Sequence, residues 1–304
     1  MSTLFFPRAP HRLLSVLGVL LCAALLAGPA QAQVAQSSAL FLRIEPDSRS
    51  AGMGNAGVAL ADNANAMFWN PSGLAFQENT QVGLTHANWL PEFDANLFYE
   101  YLVGTYHVDG VGTFGGNVRF LNLGETEVRN GDNVVLNVIN SYQLAVGTSY
   151  GRKITERVGV GTSVRFIYSK LASPAGEGGG DGKAYTFSTD LSALYRSAPF
   201  SLGGADATFS AGLNIANLGG TLDFNEQSRA KDPIPANFRI GPALTIDFDE
   251  YNSLTLATDF NKSLVSVDEQ ITSDGDTVRV GNSGFEALFD SWGSNPLTLK
   301  IGRA

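Results

Sequence analysis

A glycine-rich segment near the start of the chain is the first candidate for chemistry. Residues 52–57 read GMGNAG and fit the G-x-G-x-x-G pattern of dinucleotide-binding loops. That fingerprint needs a buried strand leading into the first glycine and an acidic residue about twenty positions later. The polar run EPDSR precedes the motif here, and no alternation of strands and helices follows it. We therefore interpret the glycines as close-packing positions and predict no cofactor.

A second motif, GTSYG at residues 147–151, fits the G-x-S-x-G pattern of hydrolase nucleophiles. A hydrolase of that type needs a sharp turn at the serine and a histidine later in the chain. Ser149 lies instead within a regular strand pattern, and His86 and His107 both precede it. The better interpretation is a serine that faces a lumen, so we predict no catalytic residue and no enzyme.

Metal-ligating residues are equally sparse. Neither His86 nor His107 has a neighbouring ligand at metal-site spacing. Asp274-Gly275-Asp276 contains two carboxylates but lacks the further oxygen ligands that calcium requires. We therefore predict a solvated acidic turn there and no metal site.

The first 32 residues have the organisation of a secretory signal peptide. Arg8 and Arg12 supply the positive start, Leu13 to Leu26 the apolar run, and AQA at 30–32 the small-residue cleavage site. The single cysteine, Cys22, would be removed with this segment, which leaves no thiol chemistry. The remaining chain would carry a net charge of about −11 (the full sequence carries −9), which argues against nucleic acid as a partner.

The chain from about residue 80 onward shows the period-two alternation of β-strands. Beginning at Ser141, Val158 and Ala184, one set of positions is aliphatic and aromatic, and the other set is rich in Gly, Ser and Thr. The predicted strands run for about ten to twelve residues, the length that a tilted strand needs to cross a bilayer. We count roughly ten strands, the last at 297–301.

A soluble β-sandwich also alternates, but two details favour a transmembrane β-barrel. Aromatic residues cluster near the strand ends, as in the girdles at lipid interfaces. The polar face carries isolated charges, which a hydrated lumen tolerates better than a sandwich interior. We predict that these charges face the lumen: Arg165, Asp190, Arg239, Asp247 and Asp259. A secreted soluble β-protein is the weaker alternative.

The predicted connections also fit a barrel with short turns on one side and long loops on the other. Asp109-Gly110 and Asp249–Asn252 are predicted as tight turns, and residues 124–138, 171–183 and 218–235 as long polar loops. The last strand stops without the terminal aromatic residue that usually closes such barrels. A barrel truncated at its C-terminus is favoured over a complete ten-stranded one.

The segment ahead of the strands, residues 33–79, is predicted to be a compact plug or cap. It is rich in small residues, so a short helix over 54–67 could pack tightly in the mouth of a barrel. Asn70 is predicted as a helix N-cap with Pro71 at the first helical position. The plug motif comprises Gly52, Gly54, Gly57, Trp69, Asn70, Pro71 and Gly73.

Three spaced blocks resemble the PorV/PorQ family, within the FadL-like superfamily of outer-membrane barrels. They are RSAGMGNAGVA from Arg49 followed by FWNP from Phe68, THANWLP from Thr85, and DFNKSLV from Asp259. The resemblance extends from about Phe41 to the end of the chain. It implies an antiparallel barrel of about fourteen strands in the outer membrane of a Bacteroidota-like Gram-negative bacterium.

The resemblance also implies a function in the type IX secretion system. Members similar to PorV receive cargo proteins with a C-terminal sorting domain from the translocon and pass them to the attachment complex, without catalysis. PorQ-like members have a different attachment role, and the sequence does not separate the two branches. The alternative is a FadL-like transporter of hydrophobic small molecules. We therefore expect a signal peptide at 1–32, a plug at 33–79 and a barrel over 80–304.

Overall fold

An antiparallel sheet of consecutive hairpins forms the body of the protein. The computed structural model describes residues 37–89, 92, 96–171, 182–224, 232–271, 277–282 and 297–303. The strands are β1 (Gln81–Asn88), β2 (Phe98–Val108), β3 (Gly112–Arg129), β4 (Val135–Thr155), β5 (Val158–Lys170), β6 (Lys183–Arg196), β7 (Phe200–Leu202), β8 (Ala205–Gly219), β9 (Thr221–Leu222), β10 (Asp232–Pro233), β11 (Asn237–Asp247), β12 (Ser253–Ser263), β13 (Ser266–Ile271), β14 (Thr277–Asn282) and β15 (Leu297–Arg303).

Ten of these strands follow one another across the main sheet. The order is β1-β2-β3-β4-β5-β6-β8-β11-β12-β15, with the short β7 paired to β8. Two small sheets, β9–β10 and β13–β14, lie within the connections. Every pairing in the described residues is antiparallel, so the sheet is a meander in which each strand neighbours the next. The all-β antiparallel architecture expected from the sequence is confirmed.

The two faces of the sheet differ sharply in chemistry. On β5, Ser163, Arg165 and Ile167 are buried, whereas the alternating Val164 is 55% exposed. The same outward side of the sheet exposes many large apolar side chains, among them Val146, Tyr185, Phe187 and Leu191. A water-soluble protein rarely exposes so continuous an apolar surface, but hydrocarbon matches it.

A row of aromatic rings crosses this outward face at one height. Phe98, Phe120, Tyr142 and Tyr168 stand on β2 to β5, and their successive ring centroids are 5.7–5.9 Å apart. Such a row is the girdle that marks a membrane–water boundary in β-barrels. It lies towards the end of the sheet where the long connections are, and it separates those connections from the aliphatic band.

The connections differ between the two ends of the sheet, but one predicted loop is wrong. Tight turns join β2 to β3 at Asp109-Gly110 and β11 to β12 around Asp249–Asn252, as predicted. Residues 124–138 are not a loop, because β3 and β4 continue through them as a paired ladder and turn only at 130–134. Val134, Val135 and Val138 have the β-branched side chains that favour a strand, and this preference outweighs the polar residues around them. Most of the predicted loop 171–183 lies outside the described residues.

The N-terminal segment forms four short helical pieces rather than the predicted helix over 54–67. They are 3-10 helices at Leu40–Arg43 and Pro71–Phe76 and α-helices at Ser48–Gly52 and Ala66–Trp69. Gly54 and Asn55 have φ angles of 65° and 59°, so the chain turns just where the helix was expected to begin. None of the helices in the described part of the chain is long and apolar enough to span a membrane.

Candidate functional site

The N-terminal segment, residues 38–77, lies against the inner face of the sheet and is called the plug below. Where the two come closest, the wall has glycines. A Cβ on Gly161 would overlap the backbone of Ser72, and one on Gly212 would overlap the carbonyl of Val58. Gly151 likewise lies close enough that its Cβ would be 2.8 Å from the backbone nitrogen of Ala75. The wall thus lacks side chains in the places that the plug fills.

The glycines of the plug motif have different roles. A Cβ on Gly57 would enter the Trp69 ring, and one on Gly73 would overlap the Ala61 carbonyl, so both allow close packing within the plug. Gly54 takes a positive φ of 65° in the turn after Ser48–Gly52. A Cβ on Gly52, by contrast, would meet nothing within 4 Å.

Asn70 joins the plug to the wall. It caps the Pro71–Phe76 helix, with its Oδ1 accepting from the backbone N–H of Ser72 at 3.2 Å, which confirms the predicted N-cap and the position of Pro71. Its amide Nδ2 donates to the carbonyls of Val58 at 2.8 Å and Ala193 at 3.2 Å. Asn70 is fully buried, so these bonds satisfy a polar group that would otherwise be costly to bury.

Trp69 lies beside Asn70 and is also buried. Its indole Nε1 donates to the Asp47 carboxylate at 2.8 Å, and its carbonyl accepts from Asn214 on β8 at 3.0 Å. The ring packs edge-on against Phe68, with centroids 4.9 Å apart. Trp69 therefore links the start of the Ser48–Gly52 helix to the barrel wall.

Asp259 holds the plug through its backbone. The carboxylate is 1% exposed on the inner face of β12 and accepts from the N–H groups of Gly57 at 2.9 Å and Val58 at 3.0 Å. Charge-assisted bonds of this kind are stronger than neutral ones. They also satisfy two backbone donors that no helix serves, because the plug turns at this point.

Two arginines of the wall lie over the plug's aromatic rings. The guanidinium of Arg239 is 5.4 Å from the centroid of Phe68 and 5.2 Å from that of Trp69. Arg119 lies 4.9 Å from the centroid of Phe68 and donates to the Leu42 carbonyl at 3.1 Å. Cation–π contacts strengthen when they are removed from water, and both arginines are buried.

Arg165 and Asp190 form an ion pair inside the wall, on neighbouring strands. The Nη2–Oδ2 distance is 2.9 Å, and both residues are almost fully buried. Asn217 completes the group, because its Oδ1 accepts from Arg165 at 2.6 Å and its backbone N–H donates to Asp190 at 2.7 Å. The buried charges are thus paired and hydrogen-bonded, which is the condition for keeping them there.

Of the five residues predicted to face the lumen, four are buried on the inner face and the fifth lies apart. Arg165, Asp190, Arg239 and Asp259 are the buried ones. Asp247 occupies the same side of its strand but is exposed at the last position of β11, beside the tight turn. It belongs to the rim and not to the plugged interior.

Sequence reasoning missed several residues that hold the plug. Arg119, Ser210 and Asn214 face inward, and Ser210 donates to the Ala59 carbonyl at 2.9 Å. Arg119 could have been identified from the sequence, because it lies on the polar side of an alternating strand and an arginine in that position must find partners. Within the described residues, no group of three or more His, Cys, Asp or Glu side chains is placed to hold a metal ion.

The end of the sheet with the long connections presents two further structures. The small sheet β9–β10 lies beside the start of the plug, where the backbone N–H of Ser38 donates to the Pro233 carbonyl at 2.8 Å. Partial burial raises the pKa of Asp232 in this sheet. The paired ends of β3 and β4 extend past the aromatic row and are exposed to solvent.

A wall with an apolar outer face, a polar inner face and a plug in its interior defines an outer-membrane β-barrel. The model of one family, the type IX secretion system protein PorV, matches residues 28–270. The chain therefore belongs to the PorV family, as the three sequence blocks indicated.

Individual proteins are less similar to the chain than the family model is. None of the curated proteins matches the chain. The crystal structure of the Pseudomonas putida toluene transporter TodX is similar over 84% of this chain and 78% of that one, with 15% sequence identity and a TM-score of 0.42. The family assignment rests on the PorV match.

Proposed function

We propose that the protein is a cargo-binding component of the type IX secretion system that catalyses no reaction. It receives cargo with a C-terminal sorting domain from the translocon and passes it to the attachment complex. Membership of the PorV family supports this role. The single structural observation that favours it is the plug bonded to the inner face of the wall, because a barrel that carries such a plug is better suited to binding than to passage.

Polar side chains hold the plug and the wall together. On the wall, Asp259 and Asn214 bond to the plug backbone at 2.9–3.0 Å, and Asn70 of the plug donates to the wall carbonyl of Ala193 at 3.2 Å. A folded cargo protein could pass only if the whole segment left, which would break all of these bonds between the plug and the wall. The binding surface therefore belongs at the end of the barrel, where the long connections of an outer-membrane protein face the outside.

The arrangement in the cell follows from the same proposal. Residues 1–32 serve as a cleaved signal peptide, residues 33–79 as the segment that contains the plug, and residues 80–304 as the barrel in the outer membrane of a Bacteroidota-like bacterium. Partners are the cargo, the translocon, the attachment complex and the surrounding lipid.

A transporter of hydrophobic molecules, the alternative raised by the FadL-like resemblance, has less support. Such a transporter needs an apolar route through the barrel. The described inner face instead carries Arg119, Arg165, Asp190, Arg239 and Asp259, and the plug packs against that face.

A detergent pull-down tests the proposal directly. The tagged full-length protein, purified from membranes, is expected to retain a cargo protein with its sorting domain and to lose it when that domain is deleted. The matched genetic test is a deletion strain, in which sorting-domain proteins should no longer reach the surface. Normal export and anchoring in that strain would overturn the proposal, whereas loss of hydrophobic-compound uptake alone would favour the transporter.

A further inference from the structure

The outward face of β1 to β6 becomes polar in steps towards the end with the long connections. Directly opposed residues on neighbouring strands lie at one level, so the strand register defines rows across this face. One row runs from Leu84 on β1 to Phe187 on β6 and is apolar throughout. Two outward rows further, the boundary row consists of Asn88, Phe98, Asn122, Tyr142, Lys170 and Lys183. The aromatic girdle reaches this level, so the boundary row lies where the sheet leaves the hydrocarbon.

Two lysines lie side by side in the boundary row. Lys170 on β5 and Lys183 on β6 are directly opposed, and the next residue towards the membrane on each strand, Ser169 and Ala184, is buried on the inner face. Opposed residues have Cβ atoms about 4.5–5.5 Å apart, so both ammonium groups can reach one point in front of the wall. Like charges in this arrangement destabilise a sheet unless an anion lies between them.

The boundary row itself supplies no carboxylate to offset the two charges. Its other four members are Asn88, Phe98, Asn122 and Tyr142, all of which are neutral. The chain as a whole is acidic, with a formal net charge of −9, so paired lysines at this level run against its composition. By charge complementarity, this local excess of positive charge favours an anion as the group bound there.

Aromatic rings flank the lysine pair on its membrane side. Tyr168 and Tyr185 are the opposed pair one row nearer the membrane centre, and Tyr185 is 70% exposed. The Lys170 ammonium lies 5.8 Å from the centroid of the Tyr142 ring, within the range of a cation–π contact. The pair therefore presents its ammonium groups at the depth of lipid headgroups, directly above the band that contacts acyl chains.

We infer that Lys170 and Lys183 bind the phosphate of a lipid headgroup in the outer leaflet. A phosphate has enough oxygen atoms to accept charge-assisted hydrogen bonds from both ammonium groups at once. A lipid fits better than free phosphate, because Tyr185, Phe187 and Val164 continue the site as an exposed apolar surface towards the membrane centre. The long connections of an outer-membrane barrel face outside, which assigns the site to the outer leaflet. Neither the plug nor cargo takes part in it.

Native mass spectrometry of the full-length protein in detergent tests the inference, with phosphatidic acid as the probe. We expect the wild type to retain one phosphatidic acid and not to retain the matching diacylglycerol, which lacks the phosphate. Lys170→Gln combined with Lys183→Gln should raise the dissociation constant at least about tenfold, because both charge-assisted contacts are lost. Inorganic phosphate at the same concentration as the lipid should not displace it.

Two further variants separate the lysine pair from net charge. Lys170→Arg combined with Lys183→Arg keeps both cations and should retain the lipid, since guanidinium groups also bind phosphate. Arg152→Gln combined with Arg157→Gln removes two exposed cations at the opposite end of the sheet and should bind the lipid as the wild type does. Heat-modifiable migration on gels checks that each variant is a folded barrel.

The contrary outcomes are distinct. Equal binding by the wild type and the double glutamine variant at 170 and 183 would show that the lysine pair is not the site. A pair neutralised by Glu177 or Asp181, the acidic residues between β5 and β6 in the sequence, would give this result. Equal loss in the Arg152 and Arg157 variant would assign the effect to net charge.

Displacement by inorganic phosphate would make the occupant a free anion, and equal retention of diacylglycerol would exclude phosphate recognition; either result overturns the inference. Cargo retention in the pull-down should be the same in all of these variants. A failure of the proposed function is therefore distinguishable from a failure of the lipid site.

Discussion

Replacing Asp259 by alanine should loosen the plug without unfolding the barrel wall. The substitution removes the acceptor for the N–H groups of Gly57 and Val58, which lie 2.9 and 3.0 Å from one carboxylate oxygen. Each buried donor left without a partner costs roughly 1–3 kcal/mol, so the docked plug loses about 2–6 kcal/mol. Arg239 loses an attractive neighbouring charge as well. Even the lower value raises the undocked population about 30-fold.

The assay is ion conductance in planar bilayers, with purified wild-type and variant proteins at the same concentration. We expect the wild type to show rare openings and Asp259→Ala frequent ones, because a displaced plug opens the lumen to ions. The same variant should make cells more sensitive to a large hydrophilic antibiotic.

Asp247→Ala is the matched control, since Asp247 faces the same side of its strand but is exposed and should leave conductance unchanged. If Asp259→Ala proved as closed as wild type while folding normally, the carboxylate would not hold the plug, and the electrostatic argument would be refuted. If Asp247→Ala opened the barrel to the same extent, loss of any rim or lumen charge would explain the effect, and specific anchoring would be excluded.

Three further substitutions test other parts of the structure. Gly161→Val should reduce the yield of folded barrel by overpacking the plug, at about 1–3 kcal/mol, whereas Gly116→Val, whose Cβ meets nothing within 4 Å, should not; urea unfolding compares them. Asn70→Ala removes a helix cap and the two hydrogen bonds that the Asn70 amide donates, so the protein should lose about 1–3 kcal/mol of stability and its midpoint of thermal unfolding should fall. The pKa of Asp249 is lowered, first by the backbone N–H of Tyr251, so its contribution to the tight turn is present above the unfolded pKa and is lost as pH falls through the folded pKa. Asp249→Asn should abolish that pH dependence in amide hydrogen exchange of the turn.

The strands were predictable because their signal is local. In the strands that begin near Ser141, Val158 and Ala184, apolar and small polar residues alternate along the sequence. In the structure, the apolar positions face outward and the small polar positions face inward, as the alternation predicts. Asn70 and Pro71 were predictable for the same reason, since a cap depends on its next two or three neighbours.

The path of the plug was not predictable, because long-range contacts determine it. The small residues of 54–67 suggested a helix, yet the backbone N–H groups of Gly57 and Val58 bond to Asp259, about two hundred positions later. No local pattern reveals such a partner. The hairpin of β3 and β4 was missed for a different reason, because its polar residues resemble a loop while its branched residues form a strand.

The glycines that line the wall require the plug and the barrel to evolve together. A larger side chain at 161 or 212 would require a smaller or displaced plug, and a bulkier plug would require a changed wall. Chimeras that exchange only one of the two parts between relatives should therefore assemble poorly, and exchange of the plug together with its facing glycines should restore assembly. For engineering, new binding specificity is more safely built on the projecting ends of β3 and β4, which can vary without disturbing that fit.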